Sequence, residues 1–173
     1  MSSFKLKVLL IGPETEGKTR LIHKIVKNRF QANYKLTVGV DILTKDVEFK
    51  PGEIATLSIW DVGNQERFKF IRSTFYKGAA GALLVFDLAS EPTYKEIKDW
   101  FIEIKKITGS VPFVLIGNAI QLLKLANKEI IRKEAREFAR QEGGIYFETT
   151  PTNIDIIEGV FHKFTDMVIG SRK

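Results

Sequence analysis

The chain contains no cysteine, which excludes disulfide bridges, thiol nucleophiles and cysteine-ligated zinc. Its two histidines, His23 and His162, are too few for a three-histidine metal centre and read as surface or boundary residues. The longest apolar stretches, such as Ala79–Phe86, fall far short of the ~20 residues that a membrane-spanning helix needs. The N-terminus has a short basic start, but its apolar run stops at Gly12, too early for a secretory signal. Pro/Ser/Gly-rich linkers, repeats and low-complexity tracts are also missing. The excess of positive charge is small: 27 Lys and Arg against 21 Asp and Glu give +6. Such a surplus suits a phosphate-bearing ligand as readily as nucleic acid or a membrane face.

What is present fits one soluble, cytoplasmic domain spanning residues 1–173, with 44% hydrophobic and 28% charged residues. Short apolar runs bounded by turn residues recur at Leu6–Ile11, Ala55–Ile59, Ala82–Phe86, Pro112–Ile116 and Gly144–Phe147. Runs of this kind suit strands buried on both faces. Between them, helical spacing appears in Lys18–Lys27, Pro92–Ile107, Lys128–Glu142 and Ile154–Val168. Strands alternating with helices predict an α/β fold with a mainly parallel sheet. One stretch departs from this pattern: Val40–Phe49 and Ile54–Trp60 flank a Pro51-Gly52 turn, which predicts one antiparallel hairpin at a sheet edge.

The strongest motif is Gly12-Pro13-Glu14-Thr15-Glu16-Gly17-Lys18-Thr19, a G-x-x-x-x-G-K-[ST] pattern between the first strand and the first helix. Its glycines let the backbone curl so that N–H groups and a helix N-terminus face an anion. Lys18 supplies a point charge for terminal phosphates, and the Thr19 hydroxyl suits Mg²⁺. Arg20 follows directly and is counted with the nucleotide-binding residues. The bland alternative is a glycine-rich turn carrying an exposed lysine.

Three further segments carry a family resemblance. Asp61-Val62-Gly63-Asn64-Gln65-Glu66-Arg67-Phe68 resembles the second switch of Ras-superfamily small GTPases. Tyr34-Lys35-Leu36-Thr37-Val38-Gly39-Val40-Asp41 resembles their first switch. The stretch from Phe75 to Asp87 is most similar to the Rab family. The resemblance covers the whole chain, with its motifs in the family's order. It implies a P-loop fold of six strands, with about five helices, that cycles between triphosphate and diphosphate forms. It also implies roles for single residues. Lys18 would neutralise the β,γ-phosphates of GTP or GDP. Thr19 and Thr37 would ligate Mg²⁺, with Asp61 holding the ion through water. Phe30 would lie against the base edge, Tyr34 would fold over the γ-phosphate, and Gln65 would orient the attacking water. Phe30 as core packing and Tyr34 as a solvent-facing loop aromatic are the bland alternatives.

Several positions depart from the family pattern. Glu14 and Thr15 stand where the Ras family usually has small residues, and a carboxylate near the γ-phosphate predicts slow hydrolysis that an arginine finger does not accelerate. In the D-x-x-G motif the glycine is displaced by one, leaving Asn64 where a backbone N–H meets the γ-phosphate. The expected N-K-x-D reads Asn118-Ala119-Ile120-Gln121. Replacing aspartate by Gln121 removes a charged bidentate contact to guanine, with about 1.5–3 kcal/mol at stake for each charged hydrogen bond. Ala119 removes the lysine stem that covers the base. The expected E-T-S-A-K reads Glu148-Thr149-Thr150-Pro151-Thr152, and Pro151 has no N–H to offer guanine O6. Adenine and xanthine therefore stand beside guanine as candidate bases.

Two functions follow. The first is a Rab-like GTP/GDP·Mg²⁺ switch with slow hydrolysis through Gln65, read by effectors or regulators at Ile42, Trp60, Phe75 and Tyr76. The second is a pseudo-GTPase scaffold with altered or lost nucleotide specificity. A kinase or ATPase of the phosphate-loop class explains the loop but not the two switches. Nucleic-acid binding lacks an aromatic-basic stripe and is not expected. Further expectations are a monomer, no lipid anchor in this chain, which stops at Gly170-Ser171-Arg172-Lys173, and membrane contact only through a partner.

Overall fold

The computed structural model of the chain describes residues 3–13, 16–25, 39–63, 66–119, 129–150 and 153–172. The strands are β1 (Ser3–Ile11), β2 (Val40–Lys50), β3 (Glu53–Val62), β4 (Gly81–Asp87), β5 (Phe113–Asn118) and β6 (Ile145–Thr149). The α-helices are α1 (Glu16–Ile25), α2 (Lys69–Tyr76), α3 (Glu91–Thr108), α4 (Glu129–Gln141) and α5 (Ile157–Ser171). The sheet runs β2-β3-β1-β4-β5-β6, with only β2 and β3 antiparallel. The six strands and five helices of the described residues therefore match the expected class, and the hairpin lies at the edge. Its turn uses Gly52 at φ 78°, and the Gly52 N–H donates to the Glu48 carboxylate at 2.9 Å.

Alternation along β1 shows why its second half, Val8–Ile11, is apolar throughout. Leu6, Val8 and Leu10 pack with Leu21 of α1 and with Phe161 and Phe164 of α5. Leu9 and Ile11 belong to a second core with Tyr94, Ile97 and Ile104 of α3 and Ala135 of α4. Covering both faces leaves no polar face for the parallel strands to show. No helix among the described residues is long and apolar enough to cross a membrane.

The elements depart from the sequence pattern at three places. β3 runs past its apolar run through Asp61 and Val62, because ladder pairing with β1 and β2 continues across the buried carboxylate. Ile154–Ile156 forms a 3₁₀ turn, so the last α-helix begins at Ile157. Helix α2 was not located from spacing, because its burial inverts the usual order. Phe70 is 91% exposed, whereas Arg72 is buried. The Arg72 guanidinium and the Tyr76 hydroxyl both donate to the Glu103 carboxylate of α3, at 3.4 and 2.9 Å.

Candidate nucleotide site

Parallel strands place their carboxyl ends at one edge of a sheet, where α/β folds bind ligands. Here that edge gathers Gly12 after β1, Asp61 near the end of β3, Asn118 at the end of β5 and Thr149 at the end of β6. Gly12 is required by a close approach: a Cβ there would lie 2.4 Å from the Val85 carbonyl oxygen of β4. Pro13 is buried beside it. Glu16, Gly17, Lys18, Thr19 and Arg20 make up the first half of α1, whose N-terminus carries unpaired amides and partial positive charge.

Lys18 turns back into this edge. Its side chain is 1% exposed, and its ammonium lies 3.1 Å from the Gly12 carbonyl and 2.8 Å from the fully buried Asp61 carboxylate. A buried cation beside a helix N-terminus is an arrangement for holding an anion. The exposed Thr19 hydroxyl and the Asp61 carboxylate are hard oxygen donors of the kind Mg²⁺ takes. The sequence reading brought Lys18 and Asp61 to one ligand but did not foresee their ion pair.

The two segments that resemble switches meet where Gly63 N–H donates to the Gly39 carbonyl at 2.7 Å. Gly39 adopts φ +87°, and a Cβ there would come within 2.9 Å of the Phe68 ring. Asp41, which the sequence reading included in the first-switch resemblance without giving it a role, lies directly opposite Asp61 in the ladder and is buried. An acidic residue in an otherwise apolar strand opening was the available signal. Glu14, Thr15, Phe30, Tyr34, Thr37, Asn64, Gln65 and Gln121 lie outside the described residues.

On the other side of the edge, Asn118 is buried and its Oδ1 accepts from the Thr149 hydroxyl. The Ala119 N–H donates to the Thr149 carbonyl at 2.8 Å, so β5 and β6 end as a locked pair. The buried Asn118 Nδ2 has no hydrogen-bond partner among the described residues, which fits it to an acceptor on a bound base. The Thr150 N–H donates to the Asn153 Oδ1, and the Asn153 N–H returns to the Thr150 hydroxyl at 3.2 Å. Asn153 was missed in the sequence, although T-x-x-N is the spacing of such a reciprocal turn. Behind this loop, Glu148 accepts from Arg132 at 3.0 Å and from the Tyr146 hydroxyl at 3.1 Å. Burial first, and then the Glu148 charge, hold the Tyr146 pKa far above the ordinary phenol value.

Of the residues expected to face partners, Ile42 is 51% exposed and pairs across the ladder with Trp60. Trp60 is half-buried, with the Lys7 ammonium 3.7 Å above its ring and the half-buried Phe75 ring 6.2 Å away. Tyr76 must be corrected. It is 1% exposed and spends its hydroxyl on Glu103, so its ring fills core and offers nothing to a partner.

Comparison with known proteins agrees with this geometry. The sequence model of the Ras family matches residues 7–169. The Ras-related protein Rab-11A of Dictyostelium discoideum is 31% identical over 163 residues, covering 94% of this chain and 75% of that protein. The GTP-binding protein yptV5 of Volvox carteri is 33% identical over 174 residues, covering 97% and 84%. The Ypt/Rab-type GTPase YPT7 of Saccharomyces cerevisiae is 34% identical over 172 residues, covering 94% and 82%.

Proposed function

The chain belongs to the Ras family, and from that premise we propose that it works as a Rab-like nucleotide switch with slow turnover. Ras-family GTPases in general bind GTP or GDP with Mg²⁺, and Rab relatives have nucleotide and effector partners. The observation that carries the reading here is the convergence of Lys18, Asp61 and the Gly12 carbonyl at the start of α1. Lys18 would hold the terminal phosphates; Thr19, Thr37 and Asp61 would hold the metal. When bound, Mg²⁺ would neutralise phosphate charge. Gln65 would orient water for hydrolysis, while Glu14 nearby would slow it. Ile42, Trp60 and Phe75 would be read by effectors, and the family likeness points to vesicle traffic with membrane contact through a partner.

The specific objection comes from the base side. Asn153 takes the Thr150 amide, Pro151 has no N–H, and Ala119 and Gln121 replace the usual lysine and aspartate. These features favour the second reading, a scaffold that has given up guanine selectivity. One experiment separates the two: the nucleotide that copurifies is extracted and its base identified, and GTP, ATP and XTP are then titrated with Mg²⁺. Tight binding of any one supports the switch. A folded preparation that binds none removes it in favour of the scaffold.

A further inference from the structure

Helix α3 packs against α2 on one side and α4 on the other. Glu96, Asp99 and Glu103 follow one another at helical spacing, and Glu103 engages Arg72 and Tyr76 of α2. Lys98, Lys105 and Lys106 stand where α3 meets α4. Between α3 and α4 they border an open trough of about 310 Å³ with Phe101, Ile102 and Phe138 as its apolar lining. The rings of Phe101 and Phe138 are 5.2 Å apart and packed on Phe113, so the lining is held rigidly from below. Ile102 is 53% exposed at the rim. The trough lies away from the sheet edge that carries Lys18 and Asp61.

Glu142 is the carboxylate that lines the trough, and Lys105 already holds it at 3.2 Å. That leaves the ammoniums of Lys98 and Lys106 without a carboxylate partner among the described residues. An apolar lining with a cationic rim is complementary to a segment that is apolar on one face and acidic on the other. We propose that the trough between α3 and α4 docks an acidic amphipathic helix of a partner protein, whose apolar side chains rest on Phe101, Ile102 and Phe138 while its carboxylates meet Lys98 and Lys106. The concave shape decides between occupants. A bilayer needs apolar groups that project beyond their surroundings, whereas these rings lie half-buried between two helices.

The test pans a phage library of random 16-residue peptides against the whole chain, with counter-selection on a Lys98→Glu/Ile102→Glu/Lys106→Glu variant. The three positions are exposed, and thermal unfolding checks that the variant folds. A synthetic copy of the most enriched peptide then serves as the probe for hydrogen exchange on the unaltered chain, which needs no variant. The expected result is enrichment of peptides with apolar residues at i, i+3 and i+4 and several acids. Their affinity should fall at least tenfold in the variant and weaken in 0.5 M NaCl, with protection confined to residues 98–106 and 138–142. Enriched peptides without acidic bias, unchanged affinity in the variant, or protection elsewhere would overturn the proposal. So would cosedimentation with phosphatidylserine vesicles that the variant abolishes while no peptide is enriched, since that result would assign the face to lipid.

Discussion

The Lys18 ammonium lies 2.8 Å from the Asp61 carboxylate, and both side chains are closed off from solvent. Neither charge is stable there alone, because an unpartnered ion in the interior costs several kcal/mol. Helix α1 brings one and strand β3 the other, so the pair ties the phosphate loop to the strand that leads into the second switch. In the proposed switch, phosphate competes with this carboxylate for the ammonium. Occupancy of the loop would thereby be linked to the position of β3's end.

Lys18→Ala should abolish phosphate-dependent nucleotide binding in calorimetric titration; unchanged affinity would mean that the loop is vestigial. Stability offers a second readout. Lys18→Met removes the ammonium from the buried Asp61 carboxylate and should cost about 3–5 kcal/mol in urea unfolding. Adding Asp61→Asn should recover most of that loss. Simple additivity of the two losses would show that the side chains do not act as a pair.

Gln121→Asp should strengthen GTP binding by ~10–10², because it restores a charged two-acceptor contact to guanine. ATP affinity should stay the same. Equal gains for GTP and ATP would refute this reading of the base pocket.

Gly39→Ala should destabilise the chain by about 1–3 kcal/mol. The new Cβ meets the Phe68 ring at 2.9 Å on a backbone at φ +87°. Its strain falls on the Gly63 to Gly39 hydrogen bond between the switches. A variant with an unaltered urea midpoint would show that the turn adjusts without cost.

The pH dependence of stability should break on the alkaline side. Burial raises the pKa of Tyr76, and the Glu103 charge adds to it; burial and then Glu148 do the same for Tyr146. Both phenols stay protonated in the folded chain while their unfolded counterparts ionise near pH ~10. Below that pH the contribution is fully present. Above it, stability should fall by up to ~1.4 kcal/mol per pH unit for each phenol, until the folded pKa is reached. A Tyr76→Phe/Tyr146→Phe variant followed by urea unfolding at pH 9 to 11 should show a shallower fall. An identical slope would assign the loss to other groups.

The phosphate loop could be read from the chain because its parts are contiguous: the glycines, Lys18 and Thr19 carry their meaning within eight residues. The central strands β4 and β5 could be read because burial on both faces writes itself as nearly unbroken apolar runs. Helix α2 could not, since an exposed Phe70 and a buried Arg72 reverse the signal that periodicity relies on. Arg72 is stable there because Glu103 meets it from α3, a residue distant in the chain.

Local order in the amino acids thus carried the class of fold, the edge hairpin, the phosphate loop and the family likeness. Long-range packing settled what no local pattern encodes. It paired Lys18 with Asp61 and withdrew Tyr76 from the surface. It also set Lys98 of α3 over the Phe138 ring of α4. Each depends on a partner brought close only when the sheet assembles, and the free energy of a buried charge or hydrogen bond is decided by that partner.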